Sequence, residues 1–184
     1  MKVLKLKFIL RAFFALFFIT YLFFITYNVN ATINPPFSNI IVKDSPKTYS
    51  SLKFQDIEGN LVDLKNYSDN LVILNFWATW CAPCREEMPS LDNLQINKRI
   101  TKIKIFPINI EKKNVNKSKK FFSSINIKNL SIYFDPEFKL MKILSLRGVP
   151  TTIFFDRQGK EFARAKGSID FDNKKFIEWL LQYN

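Results

Sequence analysis

Hydrophobic and polar positions along this chain predict buried strands that alternate with amphipathic helices. Residues 71–76 form a nearly continuous apolar run, and residues 103–110 form a second one. Such runs are typical of central strands that are buried on both faces. Each is followed by apolar residues at helical spacing, in 85–98 and in 114–126. The pattern therefore predicts two consecutive strand–helix units at the centre of a domain.

Shorter strands and helices are predicted on either side of these units. The predicted strands are 52–56, 61–64, 131–134, 151–155 and 161–165, and the predicted helices are 136–145 and 171–183. Turn sequences at 58–60 and 156–160 join two pairs of short strands, and each predicts a β-hairpin. This order predicts an α/β fold with three α/β/α layers, a mixed central sheet and an N-terminal β-hairpin extension.

The N-terminus has a different composition. Four basic residues within the first 11 precede a charge-free apolar run at 12–27, and counting from Phe8 gives about 20 residues, enough to span a bilayer. The basic flank predicts that this end stays cytoplasmic and that the rest is exported. Residues 29–31 also fit the pattern recognised by signal peptidase. Two interpretations stay open: a single-pass anchor in a bacterial inner membrane, or a signal segment whose cleavage after Ala31 releases a soluble periplasmic protein.

The segment 28–50 is polar, contains three prolines and shows no sustained period, which predicts a linker. We therefore divide the chain into an anchor or signal segment at 1–27, a linker at 28–50 and one globular domain at 51–184. The total of 184 residues, 47% of them hydrophobic, is enough for one domain core and hardly enough for two. In either N-terminal interpretation the globular domain lies in the periplasm or otherwise outside the cytoplasm.

The net charge of +12 would permit an anionic partner. However, many basic residues are scattered singly, and the sequence contains neither an Arg-rich block nor an aromatic-basic motif typical of RNA binding. We therefore predict no nucleic-acid partner.

The candidate chemistry lies at Cys81 and Cys84, the only two cysteines of the chain. They stand where the strand 71–76 ends and the next helical pattern begins. A helix N-terminus favours the thiolate form of a nearby cysteine, and the thiolate is the nucleophile of disulfide exchange. With two residues between them, Cys81 can attack a substrate disulfide and Cys84 can then resolve the mixed disulfide.

Other uses of two cysteines are less favoured by the composition. A structural disulfide between residues this close would close too small a loop to stabilise the fold much. A tetrahedral zinc site normally takes four Cys or His ligands, whereas this chain has two Cys and no His. We predict no metal site and no cofactor besides the redox-active disulfide. The alternative function that stays open is a Cu(I)-handling module that uses the same two thiolates.

Three stretches of the chain resemble the TlpA/ResA-like thiol-disulfide oxidoreductases, a membrane-tethered branch of the thioredoxin superfamily. They are Ile-Glu-Gly-Asn through leucine at 57–64, Asn-Phe-Trp-Ala-Thr-Trp-Cys-Ala-Pro-Cys at 75–84 and Arg-Gly-Val-Pro-Thr-Thr at 147–152. The resemblance implies a thioredoxin fold over 51–183. It also implies that the protein reduces disulfides of exported proteins and receives electrons from a membrane thiol-transfer protein.

The resemblance implies roles for residues around the cysteines. Pro150 would be a cis-proline beside the active site, and the backbone of Val149 would pair with an extended substrate segment. Trp80, directly before Cys81, is assigned to the substrate-binding rim. Some cytochrome c maturation reductases carry an acidic residue after the cis-proline, where this chain has Thr151. That difference argues against the haem-pathway branch without excluding it.

Glu87 matches a helix glutamate of the ResA-like branch. There it would exchange a proton with Cys84, provided that partial burial raises its pKa. The alternative is a solvent-facing charge on an amphipathic helix, of the kind expected for its neighbour Glu86. Cytosolic thioredoxins have a buried aspartate where this chain has Asn75, so their proton relay is not predicted here.

Overall fold

The computed structural model describes residues 17–18 and 33–184. The predicted anchor at 1–27, apart from Phe17 and Phe18, and the cleavage motif at 29–31 lie outside the described residues. Among the described residues, no helix has the length and apolar character needed to cross a membrane. Residues 33–184 form one compact unit.

An eight-stranded mixed sheet is the centre of this unit. Its strands are β1 (Ile40–Lys47), β2 (Lys53–Gln55), β3 (Leu61–Asp63), β4 (Leu71–Trp77), β5 (Ile103–Asn109), β6 (Tyr133–Phe134), β7 (Thr151–Phe155) and β8 (Glu161–Lys166). They lie in the order β1-β8-β7-β4-β5-β6-β2-β3. The helices are α1 (Ala82–Gln95), α2 (Val115–Ser124), α3 (Lys139–Ile143) and α4 (Lys174–Leu180), with 3-10 turns at Leu64–Tyr67 and Leu181–Tyr183.

The central strand β4 is buried along its whole length, as its apolar run predicts. It runs parallel to β5 and antiparallel to β7, so the sheet is mixed. Because side chains alternate across a strand, Ile73 and Trp77 enter a core that also contains side chains of α1, α2 and α4. Leu74 and Phe76 enter a second core with side chains of α3 and of the β2–β3 segment. The predicted three-layer α/β/α arrangement is confirmed.

The N-terminal hairpin extension is also confirmed. Strands β2 and β3 pair antiparallel, and β2 joins the main sheet through β6. Gly59 adopts a φ of 97° in the turn, a conformation that favours glycine. The carboxylate of Asp56 accepts hydrogen bonds from the backbone N–H groups of Gly59 and Asn60, both at 2.8 Å. The predicted turn sequence therefore forms the turn.

The prediction of a linker at 28–50 is wrong for residues 40–47, because these residues form the edge strand β1. This strand pairs antiparallel with β8, with Ile40 opposite Ala165. Only its first residue is buried, while Ile41 and Val42 are exposed. An edge strand held mainly by backbone hydrogen bonds carries no hydrophobic alternation, so its sequence resembles a linker.

Candidate active site

The two cysteines lie at the junction of β4 and α1. Cys81 is the N-cap residue of the helix, and its Sγ accepts a hydrogen bond from the backbone N–H of Cys84 at 3.2 Å. Pro83 lies in the first turn, where a missing backbone N–H removes no helical hydrogen bond. The two sulfurs form a disulfide with a Cα–Cα distance of 5.3 Å. The structure therefore places both predicted cysteines together at a helix N-terminus.

The two cysteines differ in solvent exposure. Cys84 is fully buried, while Cys81 retains 4% of its surface. The preceding residue, Trp80, is 68% exposed. Trp77 is fully buried and stacks on Phe121, with ring centroids 4.7 Å apart. Of the two tryptophans near the site, only Trp80 is therefore available to a partner that approaches Cys81.

The loop before β7 reaches the same end of the sheet. The Val149–Pro150 peptide is cis, as the resemblance implied. Strand pairing places Thr151 opposite Phe76, so Pro150 lies beside the end of β4, from which the cysteine loop departs. Within the described part of the chain, the backbone N–H and C=O of Val149 form no hydrogen bond. An extended segment docked there would find one free donor and one free acceptor.

Glu87 lies one helical turn beyond Cys84 on the same face of α1. Its side chain is buried, with 3% of the residue exposed, whereas Glu86 is exposed. Burial raises the pKa of Glu87 from its ordinary value of 4.5 to about 7, against hydrogen bonds from Asn75 and Ile169 that lower it. The interpretation as a solvent-facing charge is therefore wrong. The carboxyl has the proton affinity that acid–base exchange near neutral pH requires.

Asn75 holds the buried carboxyl of Glu87 by a hydrogen bond. Its Nδ2 donates to Glu87 Oε1 at 2.8 Å and to Thr152 Oγ1 at 2.9 Å. The backbone N–H of Ile169 donates to Glu87 Oε2 at 3.2 Å. The sequence indicated only that a thioredoxin aspartate is missing at position 75. The pairing of Asn75 with Thr152 across β4 and β7 is set by strand register, which the sequence pattern does not specify.

A second carboxylate, which the sequence analysis did not single out, fixes the loop that leads into Cys81. Glu111 follows the end of β5, and its Oε2 accepts from the backbone N–H of Thr79 at 2.6 Å. Its Oε1 accepts from Thr79 Oγ1 at 3.1 Å and from Lys117 Nζ at 2.6 Å. Because β4 and β5 are parallel neighbours, the segments that follow them leave the same edge of the sheet. The position of Glu111 directly after the second predicted strand was therefore the sequence signal that could have identified it.

The described residues 17–18 and 33–184 contain no group of three or more His, Cys, Asp or Glu side chains that could hold a metal ion. The site also contains the Cys81–Cys84 disulfide and the buried carboxyl of Glu87. In the oxidised state that the structure shows, both sulfurs are occupied with each other.

The chain is similar in sequence to known proteins. The sequence model of the AhpC/TSA family matches residues 47–161. A thiol-disulfide oxidoreductase ResA of Bacillus thuringiensis subsp. konkukian is 29% identical over 112 residues, which cover 61% of this chain and 64% of that protein. The chain thus spans somewhat less than two thirds of the length of this curated relative.

Solved structures share the fold. A DsbF homologue from Corynebacterium diphtheriae superposes with a TM-score of 0.64 at 28% identity, covering 80% of this chain and 94% of that one. A putative thiol:disulfide interchange protein DsbE from Chlorobium tepidum superposes with a TM-score of 0.65 at 24% identity, covering 76% and 97%. The predicted thioredoxin fold is confirmed.

Proposed function

Because this chain belongs to the AhpC/TSA family and has the thioredoxin fold, we propose that it is a thiol-disulfide oxidoreductase that reduces disulfides of partner proteins. The resemblance to the TlpA/ResA-like proteins is confirmed by the ResA relatives. The observation that carries the proposal is the Cys81–Cys84 disulfide at the N-terminus of α1, beside the cis-proline loop.

The reaction proceeds through a mixed disulfide. The Cys81 thiolate attacks one sulfur of a substrate disulfide, forms a new S–S bond and releases the other substrate sulfur as a thiolate. Cys84 then attacks Cys81 Sγ, forms the disulfide that the structure shows and releases the second substrate thiolate. The substrate takes up two electrons and two protons, and the protein dithiol is oxidised. Cys84 is fully buried while Cys81 retains 4% of its surface, which supports the different roles proposed for the two cysteines.

Glu87 serves as the proton acceptor and donor for Cys84. Complete burial disfavours a charged Cys84 thiolate, so the thiol proton must leave as the sulfur attacks and must return when the disulfide is reduced again. A carboxyl whose pKa burial has raised to about 7 holds or releases a proton at neutral pH. Its position one turn from Cys84 supports this role.

The substrate binds along the exposed rim formed by Trp80, Val149 and Pro150. Trp80 presents a large apolar surface next to the attacking sulfur. The backbone groups of Val149, which form no hydrogen bond within residues 33–184, accept an added strand. Under this proposal the substrates are exported proteins that contain disulfides. The N-terminal sequence supports a location outside the cytoplasm, at the bacterial inner membrane if the anchor is retained or soluble in the periplasm if it is cleaved after Ala31.

An extracytoplasmic reductase requires a source of electrons, and a membrane thiol-transfer protein supplies that chemistry. The first test is the reduction potential of the Cys81–Cys84 couple, equilibrated in dithiothreitol buffers and read by thiol trapping. A value below about −240 mV supports a reductase, whereas a value above about −180 mV would indicate an oxidase or isomerase.

Cysteine variants test the division of labour. Cys84→Ser should accumulate a mixed disulfide with a substrate, because the resolving thiol is gone and the attacking one remains. Cys81→Ser should accumulate none. If both variants trapped equal amounts, the assigned roles would be wrong. Titration of the reduced protein with Cu(I) distinguishes the alternative function, since a copper carrier should bind the metal tightly in a stoichiometric complex.

A further inference from the structure

A cavity of about 590 Å³ lies beside the cis-proline loop. One wall is the loop between α3 and β7, another is the end of β8, and the third is the edge strand β1. Four cationic residues line it: Lys43, Arg147, Arg164 and Lys166. No Asp or Glu is among the lining residues that the structure describes. The cavity is therefore basic.

Two of the four cations pair with one buried carboxylate that is not among the lining residues. Glu161 is fully buried and pairs with Arg164 and, at 3.3 Å, with Lys43. Arg147 and Lys166 are exposed, and within residues 33–184 no carboxylate lies within 4.0 Å of either side-chain charge. The charge that the cavity offers to a ligand is therefore that of Arg147 and Lys166.

The walls of the cavity are fixed by hydrogen bonds. The backbone N–H of Gly167 donates to the carbonyl of Pro150 at 2.9 Å and so ties the end of β8 to the cis-proline loop. Thr151 Oγ1 donates to the carbonyl of Gly148 at 2.7 Å. Since Val149 and Pro150 also line the cavity, a segment that pairs with the Val149 backbone continues directly into it. Substrate rim and basic cavity thus form one continuous surface.

We propose that this cavity binds acidic residues that flank the disulfide of the substrate protein, and this inference rests on the proposed function. The volume lies within the range of about 300–1,000 Å³ that is typical of ligand sites. Opposite charge supplies both attraction and selectivity between partners. The apolar parts of Leu146 and Val149 provide contact for the chain that carries the acidic side chains.

The test uses the full reduced chain and three disulfide peptides. The peptides share one disulfide-closed loop and differ only in the two residues that flank it, one on each side. Both flanking residues are Glu in the first peptide, Gln in the second and Lys in the third. The second-order rate constant of oxidation is read by thiol trapping. We expect the Glu-flanked peptide to react about tenfold faster than the Gln-flanked one, because two opposite-charge contacts form next to the reacting sulfur. The Lys-flanked peptide should be the slowest.

Variants locate the preference. In the double variant Arg147→Gln with Lys166→Gln, the ratio of the Glu to the Gln rate should fall below about twofold. The matched control is Lys104→Gln with Lys160→Gln, which removes the same charge at the opposite end of the sheet. This control should keep the full ratio. Charge reversal by Arg147→Glu with Lys166→Glu should make the Lys-flanked peptide the faster one.

The outcomes separate the two proposals. If none of the peptides oxidises the reduced protein, the proposed function fails. If all three react at equal rates, the oxidoreductase function stands and the acidic-substrate inference is overturned. If the control variant loses as much preference as the cavity variant, the selectivity belongs to the net charge of the whole chain and the cavity has no special part in it.

Discussion

The buried carboxyl of Glu87 should make the stability of the oxidised protein depend on pH in a way that one substitution removes. Glu87→Gln replaces the carboxyl with an amide of nearly the same shape that does not titrate. The carboxyl is 3% exposed and is held by Asn75 and Ile169, so the variant retains most of the packing. The oxidised form is used because its disulfide-bonded cysteines do not titrate.

The sign follows from proton binding. In the folded protein, burial raises the pKa of Glu87 from 4.5 to about 7, so between these values the native state holds a proton that the unfolded chain has released. Stability is therefore fully present below pH 4.5 and is lost as the pH rises through 7. Each tenfold change in proton affinity is worth about 1.4 kcal/mol. The pKa change then corresponds to about 3 kcal/mol of unfolding free energy.

The assay is urea denaturation of the oxidised wild type and variant from pH 4 to pH 8. The free energy of unfolding of Glu87→Gln, minus that of the wild type, should increase by about 3 kcal/mol over this range. Glu86→Gln is the matched control, because it makes the same change from carboxyl to amide at the exposed neighbouring residue. If the Glu87→Gln difference changes with pH no more than the Glu86→Gln difference does, the raised pKa of Glu87 and the proton role assigned to it are refuted.

Other perturbations test neighbouring parts of the site. Asn75→Ala removes a hydrogen bond that lowers the pKa of Glu87, so the pH midpoint of the same stability profile should move upward. Trp80→Ala should change the free energy of unfolding by less than about 0.5 kcal/mol while slowing disulfide exchange, whereas Trp77→Ala should cost about 3–5 kcal/mol in denaturation experiments. Burial alone would raise the pKa of Glu111, but hydrogen bonds from Lys117 and Thr79 outweigh burial and hold that pKa below its ordinary value. Glu111→Gln should therefore cost about 1 kcal/mol at pH 7, and the loss should shrink when denaturation is repeated at acidic pH.

The sequence pattern predicted the regular elements well where burial is continuous. The run at 71–76 became β4, and the pattern at 103–110 became β5, because a strand buried on both faces must be apolar throughout. The predicted helix at 136–145 is shorter in the structure, as α3 spans Lys139–Ile143 after Phe138 adopts a left-handed backbone conformation. The edge strand β1 was not predicted because continuous burial is absent there. Nearly all of its side chains face solvent, and only one side of its backbone pairs with another strand.

Some features of the site could likewise be predicted from local sequence, while others depend on tertiary packing. Local sequence was enough to predict Cys81 as the candidate nucleophile, because its position at a helix start and its spacing from Cys84 depend only on neighbouring residues. Only the tertiary structure decided that Glu87 is buried and that Asn75 holds it, because both depend on the packing of α1 against β4 and β7. Sequence spacing sets which helix face a residue occupies, whereas burial and strand register depend on distant segments that the local pattern does not encode.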